Sequence, residues 1–302
     1  MPMLDFRVET FLAVCRHMNF TKAARELNIT QPAVSHHMHY LEQAYGTALF
    51  QHNGKRLQLT EAGEILRRTL MTMKHDEQHL QKRMQQAASG TRDYSFGATL
   101  SVAEFMINEA LGRFLRLHPD SHIQMQVADT KVLLSKLDSG ELDFAVVEGD
   151  FPKAEYDFFV FGTEEYVAAG DPEKAARYRG HPLTDLLGEP LLLREEGSGT
   201  RVILEYYLKE HGLAAADFAR TVEIGNIGAI KTLLKSGYGV SFLYRAAIRP
   251  EEAAGALGVI ALSDFELRHD IMFLFPKNSN FRADYTTIFR ELRACAEETG
   301  GA

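Results

Sequence analysis

The chain has 302 residues and a formal net charge of -8, and its two cysteines, Cys15 and Cys295, stand at opposite ends. Thiols so far apart argue against a disulfide and fit a reducing compartment. No charged-then-apolar leader follows Met1 and no apolar run approaches the roughly 18 residues of a membrane span, so export by a standard signal and membrane insertion are excluded and a cytoplasmic protein is expected.

Phe20 to Gln43, FTKAARELNITQPAVSHHMHYLEQ, reads as two short helices joined by a polar turn. Thr21 serves as the expected cap of the first, whose apolar face carries Ala23, Ala24 and Leu27. Asn28, Ile29 and Thr30 make the turn. Thr30 caps the second helix and Pro32 lies in its first turn, where a missing N–H costs nothing. Ala33, Val34, Met38 and Leu41 recur at helical spacing, which places Gln31, Ser35, His36 and His39 outside, where such side chains hydrogen-bond base edges and phosphates in a DNA major groove. The next stretch, Tyr45 to Thr60, has hairpin syntax with Asn53-Gly54 at the turn. Lys55 and Arg56 at the tip of such a wing would lie over a phosphate backbone, positioning the head without specifying sequence.

These residues, ungapped over positions 4 to 63, resemble the N-terminal domain of the LysR-type transcriptional regulators. Phe11, Phe20, Thr21, Ala23, Ala24, Leu27, Gln31 to Ser35, Leu41, Leu49, Phe50, Leu59, Thr60 and Gly63 stand as that family has them. His36, His39 and His52 depart from it, because relatives usually carry arginine or another strongly basic or polar group there. Residues 1 to 60 have a charge balance of only plus two without histidine. The three histidines therefore either strengthen DNA binding as pH falls from about 8 to 6 or simply donate one hydrogen bond each. His36, His37 and His39 lack the cysteine or carboxylate that would complete a tetrahedral zinc set.

From Thr60 to Ala88 there is no proline, and Leu66, Leu70, Met73, Glu77, Leu80, Met84 and Ala87 fall on a heptad seam. The seam predicts a helix pairing with its twin, hence a dimer reading a two-fold symmetric site. His75 and His79 on that helix do not fit the pattern His-Glu-x-x-His and read as solvated residues. Ser89 to Asp93 break the helix.

Beyond the break, apolar runs alternate with helical segments: Tyr94 to Thr99, Val102 to Leu117, Ile123 to Ala128, Val132 to Leu137 and Phe144 to Val147. A second cycle covers Pro190 to Leu193, Arg201 to His211, Thr221 to Ile224, Ile227 to Ser236 and Val240 to Leu243. This is the grammar of parallel βαβ units, and two such lobes leave a cleft at their strand ends. Between a strand and a helix stands REEGSGTR, Arg194 to Arg201. Gly197 and Gly199 permit close backbone approach, and Ser198 and Thr200 open the helix, a candidate anion site. Thr99, Ser101 and Thr130 sit at equivalent strand ends and would complete a ring of donors, with charge from Arg201 or Arg194; the alternative is that these residues merely cap helices. Glu148 adds a negative charge there, which either pairs with an arginine such as Arg201 or meets a ligand carrying a donor. Phe144, Phe242 and Tyr244 are an alternative lining for an aromatic acid. Gly237-Tyr238-Gly239 lacks the third glycine of a dinucleotide fingerprint and no P-loop occurs, so no nucleotide or other cofactor is expected.

The second region is similar to the effector-binding domain of the same regulators, a fold like that of periplasmic binding proteins. REEGSGTR, Gly140 to Asp143, Ala229 to Lys231, Gly237 and Gly239 resemble the branch associated with sulfur metabolism, which implies sulfite or sulfate as candidate effector. The resemblance implies an α+β protein with a winged helix-turn-helix at 1–60, a linker helix and hinge at 61–91 and an effector domain at 92–302. Lobe I would cover about 92–163 and 267–302, lobe II about 164–266. Expected partners are double-stranded DNA, a small anion and a second copy of the chain, with dimers pairing further into a tetramer left open. A transport binding protein would need export, and no constellation of catalytic or metal-binding residues converges by spacing, so an enzyme is not expected.

Overall fold

A computed structural model describes residues 4–54 and 56–297. Helices α1 (Phe6–His17), α2 (Phe20–Glu26) and α3 (Gln31–Tyr45) are followed by a hairpin of β1 (Phe50–Asn53) and β2 (Arg56–Leu59) and by α4 (Glu61–Ser89). The first three helices share one core, in which Ala23 and Ala24 let α2 approach α3 closely and Val34, Met38 and Leu41 meet Phe11, Leu49, Leu66 and Leu70. The cap of α2 is Asn19, which accepts from Lys22 N at 2.9 Å, not Thr21, which is the second residue inside the helix. Asn28 makes the turn with φ +54 and Thr30 caps α3 by accepting from Ala33 N. Asn53 pairs with Arg56 and Gly54 takes φ +62, which puts Asn53-Gly54 at the hairpin turn as the spacing predicts. Lys55 lies outside the described residues.

The helix α4 leads into β3 (Arg92–Ala98), α5 (Leu100–Phe105), α6 (Asn108–Leu117), β4 (Ser121–Val127), α7 (Thr130–Ser139), β5 (Phe144–Val147) and the long β6 (Tyr156–Gly170). Then come α8 (Pro172–Arg177), β7 (Pro190–Leu193), α9 (Gly199–Glu210), β8 (Arg220–Glu223), α10 (Ile227–Lys235), β9 (Val240–Tyr244), α11 (Arg245–Ala253), β10 (Gly258–Val259), β11 (Leu267–Pro276) and α12 (Arg282–Glu297). The strand order is β4-β3-β5-β11-β6-β9-β7-β8, with β10 on β6. Each end of this sheet is a parallel trio, β4-β3-β5 and β9-β7-β8, as the βαβ pattern predicts. The middle is an antiparallel ribbon of β6 and β11, which the parallel pattern did not foresee. Because β6 pairs with β11 along its first part and with β9 at Tyr166–Ala169, it runs from one lobe into the other. Apolar clusters cover both faces at both ends, one holding α6 and α12 on the first lobe and others holding α9 and α10 on the second.

The heptad of α4 splits between two jobs. Leu66 and Leu70 are buried in the N-terminal core, whereas Met73 and Met84 are 47% and 66% exposed. The face between them docks on the following domain. His75 and His79 are 1% and 6% exposed, which corrects their reading as solvated residues. His75 Nε2 donates to Leu142 O at 2.9 Å, and His79 lies between Asp143 and Asp284, 3.4 Å from each. Asp76 accepts from Ser279 Oγ, Asn280 N and Asn280 Nδ2, and Lys82 Nζ donates to Asp143 at 2.8 Å. The contacts lie 61 to 205 positions away in the chain, beyond the reach of a local pattern.

Two predictions follow from these packings. A Cβ on Gly63 would stand 2.1 Å from Leu49 O, so Gly63→Ala should destabilise the N-terminal unit by roughly 1–3 kcal/mol; an unchanged denaturant midpoint would count against this close contact. Burial pushes His75 down to about 4, against the Leu142 bond that favours its charge, while the unfolded histidine titrates near 6.5. With the folded value depressed, the stabilising neutral ring is fully present above the unfolded value and is lost as pH falls from about 6.5 to 4, up to roughly 3 kcal/mol. Urea midpoints should fall over that window and fall less in His75→Gln; equal slopes would refute the assignment.

Candidate functional site

On the N-terminal unit, α3 presents Gln31, Pro32, Ser35, His36 and His39 as one exposed row, opposite the buried Val34, Met38 and Leu41. Gln31 Nε2 donates to Ser35 Oγ at 2.9 Å and His39 bonds Gln43, so their remaining donors and acceptors point away from the core. Thr21 is exposed on α2, and Arg56 and His52 are exposed on the hairpin. His37 belongs elsewhere: it is half-buried, 3.0 Å from Thr10 Oγ1 and edge-on to Phe6.

The second candidate site forms where the two parallel trios face each other. From the first lobe come Thr99 and Ser101 at the start of α5, Thr130 at the start of α7, and Glu148 just past β5. From the second come Gly197, Ser198, Gly199 and Thr200 at the start of α9. Elsewhere in this protein Asn19, Thr30, Thr60, Asp171 and Asn226 cap helices with their side chains, but Thr99 and Ser198 make no such bond. The hydroxyls of Ser198 and Thr200 are buried and 2.9 Å apart. Thr99 Oγ1, Ser101 Oγ and Glu148 Oε2 are buried without a hydrogen-bond partner. Unpartnered buried polar atoms are rare and costly, and of these three the Glu148 carboxyl lies against Gly199 in the first turn of α9. The twelve-residue α9 brings free N–H groups to the same place.

The flanking groups differ from the sequence reading. Arg201 is not in the cradle and does not pair with Glu148; its guanidinium donates to Glu205 and Glu223, both at 2.7 Å, and to Arg194 O. Arg194 is buried and held by Glu195 at 2.7 and 2.6 Å. Asp129, Gly149 and Tyr166 were missed: Asp129 approaches Gly197, Gly149 lies against Thr130, and the Tyr166 hydroxyl donates to Thr200 O at 2.7 Å. Only Asp129 carried a signal, as the residue before Thr130 at a strand end. Phe144, Phe242 and Tyr244 are core rather than pocket lining; Phe144 stacks between Phe96 and Phe273, and Phe242 packs on Phe265. A cavity of about 470 Å³ lies instead between α4 and the second domain, lined by Ile65, Arg68, Met73, Asp138 and Tyr156 among others. Among the described residues no helix is long and apolar enough to cross a membrane.

Residues 7–64 match the family model "Bacterial regulatory helix-turn-helix protein, lysR family" and residues 88–295 match "LysR substrate binding domain". The chain belongs to the LysR family of transcriptional regulators. It is 31% identical to the regulator CfxR of Cupriavidus necator, over 84% of this chain and 80% of that one, and 29% identical to a RuBisCO operon transcriptional regulator of Acidithiobacillus ferrooxidans, over 97% and 94%. It is 25% identical to CysL of Bacillus subtilis, over 88% and 89%. Full-length LysG of Corynebacterium glutamicum, solved with bound effector Arg, shares the fold with a TM-score of 0.62 at 18% identity, covering 98% of this chain and 99% of that one. The protein is thus a ligand-responsive DNA-binding regulator and not an enzyme.

If Arg56 contacts a phosphate, Arg56→Ala should weaken binding to different DNA sequences about equally and lower the salt slope of log K by roughly one. A sequence-selective loss in salt titrations would assign Arg56 to base reading instead.

Proposed function

We propose that the regulator senses a small oxyanion, sulfite- or sulfate-like in size, at the cradle between its lobes. The observation that carries this is the buried Glu148 carboxyl, with an unpartnered Oε2 and Ser101 beside it, against the first turn of α9, where the hydroxyls of Ser198 and Thr200 pair. Gly197 and Gly199 bring backbone close without side-chain obstruction, and Thr130 flanks the same space. An aromatic carboxylate is not favoured, because the rings that would receive it are packed into the core. The relatives' names divide between RuBisCO operon control and CysL, so the ligand has to be read from the site itself.

On the DNA side, Gln31, Pro32, Ser35, His36 and His39 enter the major groove, with Thr21, Lys55 and Arg56 on the backbone. Two copies pair through the exposed stripe of α4 that includes Ile65, Met73 and Met84, placing two heads on an inverted repeat in cytoplasmic DNA. Ligand acts by favouring one arrangement of the lobes over another, which requires unequal affinity for the two.

Melting of the full-length protein against sulfite, sulfate, thiosulfate, phosphate, acetate and aromatic carboxylates tests the cradle: an anion at 100 times its dissociation constant adds about 2.7 kcal/mol. Thr200→Ala and Ser198→Ala should lose that shift and keep DNA binding, and Ser35→Ala should do the reverse. A shift confined to aromatic acids, or one untouched by Thr200→Ala, would move the site elsewhere.

A further inference from the structure

One group in the cradle is foreign to a simple anion site. Glu148 is 3% exposed, its Oε1 lies 3.4 Å from where a Cβ on Gly199 would stand, and its Oε2 has no partner. The carboxyl therefore faces the first turn of α9. No arginine makes an ion pair with it: Arg201 is turned to Glu205 and Glu223, and Arg194, whose charge favours the ionised form through space, is held by Glu195. The other titratable groups facing it are Asp129 at the start of α7, a like charge, and Tyr244 at the end of β9. Ser101 lies beside it on α5 and favours its ionised form, although its hydroxyl makes no hydrogen bond of normal geometry. Burial pushes the carboxyl up to about 7.

We propose that Glu148 determines specificity, selecting oxyanions that bring a proton of their own, such as hydrogen phosphate or hydrogen sulfite, over fully deprotonated ones such as sulfate. The inference rests on the cradle proposed above and narrows it. Between a buried carboxyl and an anion one proton has to sit, because two buried negative charges in contact are strongly repelled. A protonated oxyanion supplies it, its O–H donating to the ionised carboxylate. Sulfate has none to give at neutral pH and fits only when Glu148 is itself protonated. The hydroxyls of Thr99, Ser101, Ser198 and Thr200 rotate to donate or accept, so they tolerate both classes and leave the choice to the carboxyl.

Titration calorimetry of the full-length protein with inorganic phosphate, glycerol phosphate and sulfate tests this. At pH 8 the wild type should bind inorganic phosphate, with sulfate and the doubly deprotonated glycerol phosphate at least tenfold weaker, and at pH 6 both gaps should narrow as Glu148 takes up a proton. Glu148→Gln, which always carries a donor, should bind sulfate at both pH values and lose the pH dependence. Glycerol phosphate, whose phosphoryl group has lost its second proton by pH 8, is a second anion without a proton, and a preference for it over inorganic phosphate at that pH overturns the proposal. Equal affinity for sulfate and phosphate at pH 8 in the wild type overturns the selectivity while leaving the cradle standing, as does an unchanged ratio in a Glu148→Gln protein that melts as the wild type does. No binding of any of the three at either pH, by wild type or variant, overturns the cradle itself and the selectivity with it.

Discussion

The antiparallel pairing of β6 with β11 is the constraint from which the second domain takes its form. Its register runs from Leu267 opposite Tyr166 to Pro276 opposite Tyr156, with one shift between Ile271 and Met272. Backbone hydrogen bonding along that ribbon ties two parallel trios into one sheet, and it sets their strand ends against each other. Thr99, Ser101 and Glu148 then reach the cradle from one trio while Ser198 and Thr200 reach it from the other. Neither lobe holds a complete set, so any group bound there touches both.

The second constraint is polar and lies along α4. This helix is rooted in the N-terminal core by Leu66 and Leu70 and is gripped further on by Leu142, Asp143, Ser279 and Asn280 through His75, Asp76, His79 and Lys82. Burial by itself would raise the Asp143 carboxyl, but bonds from His79, Lys82 and the Ser95 N–H hold it below its usual range. Removing one member of such a network leaves a buried charge or donor without a partner, which costs more than the loss of an apolar contact of similar size. Arg67 and Thr72 add bonds to Glu155 and to Lys277 O at 2.9 and 3.0 Å. The helix thus fastens the first lobe at one end and carries the DNA-reading head at the other.

Neither cysteine is exposed. Cys15 is pushed up to about 12, chiefly by burial, and Cys295 is packed in the core of the first lobe. Thiol chemistry of the kind that needs an exposed thiolate has no support in either environment.

Features whose causes lie within a few residues were legible in the sequence: the Thr30 cap, Pro32 in the first turn, the buried row of α3, the hairpin, the continuous α4 and the parallel βαβ cycles. Each depends on a local period or on a side chain bonding a backbone group three positions away. The misreadings have the opposite cause. Asn19 displaced Thr21 as cap because the chain enters α2 two residues earlier than the apolar pattern suggested, and the antiparallel ribbon was hidden because strand direction is set by the partner strand. His75 and His79 looked solvated because what buries them, Leu142, Phe281 and Tyr285, stands far along the chain. Arg201 and Glu148 looked like a pair, yet a nearer pair of glutamates took the arginine. The sequence by itself determined the helix-turn-helix, the long α4, the two parallel βαβ cycles and that a hydroxyl-rich turn opens α9; only the tertiary structure decided how β6 and β11 join the lobes and which charges are buried, paired or left without a partner, because those outcomes depend on groups brought together through the folded core rather than on neighbours in the chain.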